Sequence, residues 1–273
     1  EPLKIGYLGP EGTFSQQAVL KHFGRSAHGQ PMASIEEVFQ EVENGNADFG
    51  VVPVENSGEG TIQVTLDMFL TSGLKICGEV ELRVHQYLFS RSGRIEDIER
   101  IYSHPQSFAQ TQTWLRGNLP KVEKIAVSSN AEGARRARSA DDAAAIAGES
   151  AGLVYGLKKV IMRPIQDDAD STTRFLVLGR QIFPTSGHDR TSILVFIKDQ
   201  PGALFNVLSP FAKHGITMNR IESRPSHQAK WEYAFFIDLA GHVEDAAMQE
   251  AFTELAEFAS QIKILGSYPV AVP

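Results

Sequence analysis

Cysteine is nearly absent: Cys77 is the only one in 273 residues. No intrachain disulfide can form, and a thiolate metal cluster is excluded. No apolar run approaches the length of a membrane span, and there is no low-complexity tract. Positive charge is in deficit, with 26 Lys and Arg against 33 Asp and Glu and a net charge of −7. That balance disfavours nucleic acid and anionic membrane as partners, so an anionic ligand must be drawn in by a local basic site. No cluster of His, Cys and carboxylates suggests a metal. No dinucleotide or Walker spacing suggests a nucleotide. Glu1-Pro2-Leu3-Lys4 does not begin a signal peptide, and the cytoplasm is the expected compartment. A start at Glu1 without an initiator Met fits a chain processed or cut from a longer polypeptide.

What is present is a 42% hydrophobic chain, long enough for two cores. Its first two-thirds alternates short apolar strands with helices. Strand-like residues 3–8 stop at Gly9-Pro10-Glu11-Gly12-Thr13, ahead of a helix. A strand, a glycine loop and a helix start present free N–H groups to an anion. Ser34 and Glu37 form a capping box for the next helix. The apolar run 49–52 ends at Pro53-Val54-Glu55-Asn56-Ser57, where an open α/β sheet binds ligands, though Asn56 and Ser57 also suit turn and cap roles. Later strands end at Ser103-His104-Pro105-Gln106-Ser107 and at Ser128-Ser129-Asn130. For Ser128 or Ser129 taken singly an N-cap is the stronger reading, and His104 reads as structural.

The stretch Asp170-Ser171-Thr172-Thr173-Arg174-Phe175 opens an apolar strand. A planar guanidinium there suits a carboxylate held by two parallel hydrogen bonds. The alternative is a strand-start arginine paired with Asp167, Asp168 or Asp170. Two sets of βα units imply a two-lobed α/β domain with a cleft between the lobes: residues 1–78 with 163–183 in one, 79–162 in the other.

After a linker at 184–189 the pattern changes. Strands at 191–198, 217–223, 233–239 and 262–268 with helices at 203–214 and 245–260 give the order βαββαβ, that of the ferredoxin-like fold, over 190–273. Exposed edges of such a module pair readily with a second copy, so a homodimer is expected.

These motifs resemble the prephenate dehydratase family along essentially the whole chain. The loop Gly9 to Ser15, the run Val52-Pro53-Val54-Glu55-Asn56-Ser57, Ser103-His104-Pro105-Gln106 and Thr173-Arg174-Phe175 each resemble a family motif. Gly202-Ala203-Leu204 and Glu222-Ser223-Arg224-Pro225 resemble those of its ACT regulatory domain. The resemblance implies a catalytic domain similar to periplasmic binding proteins and a cofactor-free conversion of prephenate to phenylpyruvate, with loss of carbon dioxide and water. It implies Thr173 on the departing hydroxyl, Arg174 on a substrate carboxylate and Glu55 as a proton donor. Thr13, Asn56, Ser57, Gln106, Ser107, Ser128 and Phe175 would line the cleft. Phenylalanine would bind near Gly202, Ala203, Leu204, Asn219, Glu222, Ser223 and Arg224 between paired domains of a dimer or tetramer. Two departures stand out. Asp168 occupies a position where the family often has Asn, and Phe205 one where Val is common. Arogenate dehydratase and a non-catalytic amino-acid sensor are the competing readings. The family includes chains fused to an N-terminal chorismate mutase.

Overall fold

The computed structural model describes residues 1–227 and 229–273. Its first lobe contains β1 (Lys4–Leu8), α1 (Phe14–Phe23), β2 (His28–Met32), α2 (Ile35–Glu43), β3 (Phe49–Asn56), β4 (Gly60–Thr61), α3 (Gln63–Phe69) and β5 (Lys75–Arg83). The second contains β6 (Tyr87–Ser90), β7 (Arg100–Ser103), α4 (Pro105–Gln110), α5 (Gln112–Asn118), β8 (Glu123–Ala126), α6 (Asn130–Ala137), β9 (Ala143–Ala147), α7 (Glu149–Tyr155) and β10 (Lys158–Lys159). The chain then returns to the first sheet as β11 (Thr172–Gly179). Sheet orders are β2-β1-β3-β11-β5 and β10-β6-β9-β7-β8. Because β5 pairs with β11 out to Arg83, the first lobe extends past residue 78, where the sequence reading ended it. The short strands β2 and β6 had no expected counterpart; His28-Gly29-Gln30-Pro31 carries little β propensity and is held by pairing with β1.

Local chemistry accounts for the helix boundaries. Thr13 caps α1 by accepting from Gln16 N–H, and Gly24 (φ 76°) ends it. Ser34 accepts from Glu37 N–H at the start of α2, while Glu37 reaches back to Ala33 N–H. Val38, Phe39 and Val42 then bury one face of that helix.

The expected end of β3 at Val52 is wrong in an informative way. β1 pairs with β3 only as far as Val51, so Pro53 lies beyond that ladder, where a residue without an N–H is tolerated. The strand continues to Asn56 against β11, with a bulge that places Val54 as an extra residue between the Pro53–Phe175 and Glu55–Arg174 rungs.

The C-terminal module comprises β12 (Asp189–Lys198), α8 (Ala203–Lys213), β13 (Met218–Pro225), β14 (Glu232–Ala240), α9 (Ala246–Leu255) and β15 (Gln261–Pro269), with sheet order β13-β14-β12-β15. This is the expected βαββαβ arrangement. One face of its sheet packs on α8 and α9 through Ile193, Val195, Val207, Phe211 and Ile237. The other shares a core with the first lobe, where Leu194, Phe196, Phe236 and Leu265 join Val52, Val54, Leu66 and Phe69. Strand β15 crosses β5 so closely that a Cβ on Gly266 would lie 2.1 Å from the Ile76 carbonyl oxygen.

Candidate active site

The two lobes meet at the carboxyl ends of their parallel strands. A Cβ on Gly12 would touch Ala151, and one on Gly148 would touch Phe14. The Tyr155 hydroxyl donates to Glu11 O at 3.2 Å, and Gln110 Nε2 to Glu59 Oε1 at 3.4 Å. The crossing point between lobes is laced by glutamine amides: Gln166 Nε2 donates to Val84 O, Gln86 N–H to Gln166 Oε1, and Gln86 Nε2 to Gln110 Oε1.

At this edge of the first sheet, Thr173 stands directly opposite Asn56. Asn56 Oδ1 accepts from Gly58 N–H, which fixes the amide, and Nδ2 donates to Thr173 Oγ1 at 2.9 Å. Thr173 Oγ1 is thus an acceptor of Asn56, and its own proton remains available for another oxygen. Ser57 locks the next residue at two points, its N–H donating to Thr172 O and its hydroxyl accepting from Thr172 N–H.

The second lobe repeats the device. Asn130 Oδ1 accepts from His104 N–H at 2.9 Å and from the Ser103 hydroxyl, and Nδ2 donates to Ser107 Oγ at 2.7 Å. Ser107 is buried and, like Thr173, keeps its proton. Asn130, the first residue of α6, was not among the expected site residues. Of the two serines read as N-cap candidates, Ser129 supplies the cap, accepting from Glu132 N–H. Ser128 is exposed, as is Gln106 at the start of α4. His104 caps α4 through Nδ1, which accepts from Gln106 N–H.

Several expected assignments change. Alternation along a strand puts neighbouring side chains on opposite faces, so Arg174 cannot share the groove of Thr173. Its guanidinium lies in the seam with the C-terminal module: Nε donates to Glu79 Oε2 at 2.7 Å, Nη1 to Asp238 Oδ2 at 2.7 Å and Nη2 to Tyr268 Oη at 2.8 Å. Burial pulls against its charge, but Tyr268, Asp238 and Glu79 outweigh that and raise its pKa. With all three nitrogens engaged in the buried seam on the opposite face, Arg174 is not placed to clamp a substrate carboxylate in the groove. The alternative partners fail too, for Asp167 and Asp168 accept from the backbone N–H groups of Thr113 and Asp170. Glu55, brought to the same face as Arg174 by the Val54 bulge, pairs with Arg220 of β13 at 3.4 Å and not with the groove. Phe175 is 2% exposed within the first-lobe core and does not line a cleft. The Thr13 hydroxyl is spent on Leu8 O and Gln16 N–H.

Alternation also divides the expected effector residues. Arg224 turns to the catalytic side, where Nε and Nη2 bond Asp67 of α3. Asn219 and Ser223 are exposed, as are Gly202 and Leu204 at the start of α8; Ala203 and Glu222 are half-buried. Cys77 is buried, and burial lifts its thiol pKa to about 11, so it offers no thiolate. Among the described residues, no group of three or more His, Cys, Asp or Glu could hold a metal.

The prephenate dehydratase family model matches residues 5–182. The chain belongs to the prephenate dehydratase family. The ACT domain model matches residues 191–257 of the C-terminal module. The bifunctional chorismate mutase/prephenate dehydratase of Pseudomonas aeruginosa is 50% identical over 273 residues, covering 100% of this chain and 74% of that protein. An arogenate dehydratase/prephenate dehydratase of Arabidopsis thaliana is 36% identical, covering 98% of this chain and 73% of the relative. The crystal structure of prephenate dehydratase from Arthrobacter aurescens in complex with L-Phe superposes with a TM-score of 0.90 at 33% identity, covering 98% of this chain and 90% of that one.

Proposed function

We infer that this chain is a prephenate dehydratase, a decarboxylating hydro-lyase of phenylalanine biosynthesis, inhibited by phenylalanine through its ACT domain. Residues 1–183 form the catalytic domain and 190–273 the ACT domain, joined by a linker at 184–189. Prephenate carries two carboxylates and a ring hydroxyl. As carbon dioxide leaves, the electron pair of the broken C–C bond enters the ring. The C–O pair departs on the hydroxyl oxygen, which takes a proton to become water. Aromatisation supplies much of the driving force, so the protein has to orient the dianion and stabilise the departing oxygen.

The observation that carries this reading is the Thr173–Asn56 pair. Asn56 occupies the Thr173 acceptor position, leaving the hydroxyl proton aimed at whatever oxygen enters the cleft. Ser107, oriented by Asn130, offers a second such donor. Asn56, Ser57, Gln106 and Ser128 line the same groove. With Arg174 and Glu55 engaged elsewhere, the carboxylates meet neutral donors and the free N–H groups at the starts of α1 and α6. Because Thr is no acid at neutral pH, the proton of the departing water comes from solvent relayed through these hydroxyls.

No described helix is long and apolar enough to cross a membrane, which agrees with a cytoplasmic enzyme. A homodimer or homotetramer is supported by exposed Leu204 and Phe205 on α8 and exposed Ile221 on edge strand β13. The test is incubation of the protein with prephenate or arogenate, following phenylpyruvate and phenylalanine respectively. Faster turnover of prephenate, slowed by added phenylalanine, is expected. Faster turnover of arogenate would reassign the substrate. Ligand binding without release of carbon dioxide would make the chain a sensor.

A further inference from the structure

Two rungs of opposite charge face each other across the seam between the catalytic and ACT domains. On the catalytic sheet, Arg174 stands opposite Glu55, one rung along from Thr173 opposite Asn56. On the ACT sheet, Arg220 stands opposite Asp238. The rungs cross-pair: Arg174 Nη1 with Asp238 Oδ2 at 2.7 Å, and Arg220 Nε with Glu55 Oε2 at 3.4 Å. Arg220 Nη2 also donates to Thr61 Oγ1 of β4 at 2.7 Å. Each catalytic-side charge is therefore held by an ACT-side charge and is the chain neighbour of a cleft residue.

We propose that Arg174 and Glu55 are positioning residues, through which the ACT domain sets the separation and aim of the Thr173–Asn56 pair. This rests on the assignment of Thr173 to the departing hydroxyl. Consecutive Cα atoms are held at a fixed ~3.8 Å, so a displacement of Arg174 or Glu55 moves Thr173 or Asn56 with it. Strand β13 is placed to deliver that displacement, since it carries exposed Asn219 and Ser223 as well as Arg220 and Arg224, which grip the catalytic domain. Arg174, Glu79 and Asp238 are all at most 8% exposed. Charges so desolvated tolerate few geometries, and a shift at the seam is passed on rather than absorbed by solvent. The Arg220–Glu55 link is the releasable one, being longer, with the Glu55 side chain 40% exposed. A cavity of about 20 Å³ bordered by Val54, Arg174, Arg220 and Asp238 leaves room for one water molecule to take up a released bond.

The test uses the full chain with Arg220→Gln, Arg220→Lys and Asp238→Asn. Three quantities are read: kcat and KM for prephenate, half-inhibition by phenylalanine, and calorimetric binding of phenylalanine. For Arg220→Gln the expected result is a rise of about tenfold or more in the half-inhibiting concentration while phenylalanine still binds. Arg220→Lys restores part of the inhibition. Asp238→Asn lowers kcat by about tenfold with KM within about twofold of the parent, because the loss lies in aim and not in substrate affinity. Parent-like inhibition in Arg220→Gln overturns the proposal, including where Asp238→Asn does not fold. Hydrogen exchange of residues 172–175 separates this from the assignment of activity. Phenylalanine is expected to change their protection in the parent and leave Arg220→Gln unmoved, whether or not prephenate is turned over. An unchanged parent overturns the coupling, whereas a parent that does not convert prephenate overturns the function.

Discussion

The two faces of the β3–β11 rungs are built from different materials. On the cleft face, Thr173 and Asn56 are neutral, share one hydrogen bond and leave a proton unspent. On the seam face, Arg174, Glu79, Arg190 and Asp238 carry two positive and two negative charges, tied to one another and to Tyr268 and Ser192. The first arrangement leaves bonding capacity for a substrate, and the second uses up nearly all of it for structure. A polar residue in a cleft is therefore marked less by its charge than by whether its partners leave it something to give.

That contrast breaks most sharply at Thr173. Thr173→Val keeps the shape and removes the donor, and kcat is expected to fall by about 10²–10³-fold with little change in unfolding midpoint. Steady-state assay beside thermal denaturation checks both halves. On the seam face the order reverses. Glu79→Ala leaves buried Arg174 with one carboxylate in place of two and half-buried Arg190 with none, and equilibrium unfolding should show a loss of about 3 kcal/mol. If Glu79→Ala were as stable as the parent, the seam charges would not hold the domains together.

A finer break is available in the second lobe. Asn130→Ala frees Ser107 from its anchor, and kcat should fall by about tenfold if Ser107 is the second donor. A kcat equal to the parent's would reduce Asn130 to loop structure. The smallest effect concerns Asp189, the first residue of β12. Burial works to raise its pKa, but donors from Ser186 and Thr185, with His242 nearby, win and hold it below the usual carboxylate range. A folded pKa below the unfolded one gives stability that is present above about pH 4 and is lost as pH falls through the depressed value. Asp189→Asn should flatten that part of the acid-unfolding profile.

How much of this the sequence disclosed differs between the two faces. The βαββαβ module, the capping box at Ser34 and the polar loops after strands all arise from local periodicity and local hydrogen bonding, and they were legible. Thr173 and Asn56 were nominated singly, but their pairing is a register, set by residues 117 apart. Arg174 was misread because both readings looked for a partner nearby or in the ligand. Its carboxylates come from Glu79, 95 residues back, and Asp238, 64 residues on in another domain. Glu55 was misread for a subtler reason: a single extra strand residue, Val54, reverses the face that simple alternation assigns to the residues after it. Asn130 went unnominated because its partners, Ser103, His104 and Ser107, lie 23 to 27 residues back and no local pattern joins them to it.

The bare backbone at Gly266 has a consequence for exchange of parts. The ACT strand lies on Ile76 with no space for even a methyl group, so the docking surface is itself a selection filter. A regulatory module borrowed from elsewhere, however well folded, would ride high on the catalytic domain if it brought a side chain to that spot. Its charges would then meet water before they met Arg174 and Glu55, leaving an enzyme that works without hearing its regulator.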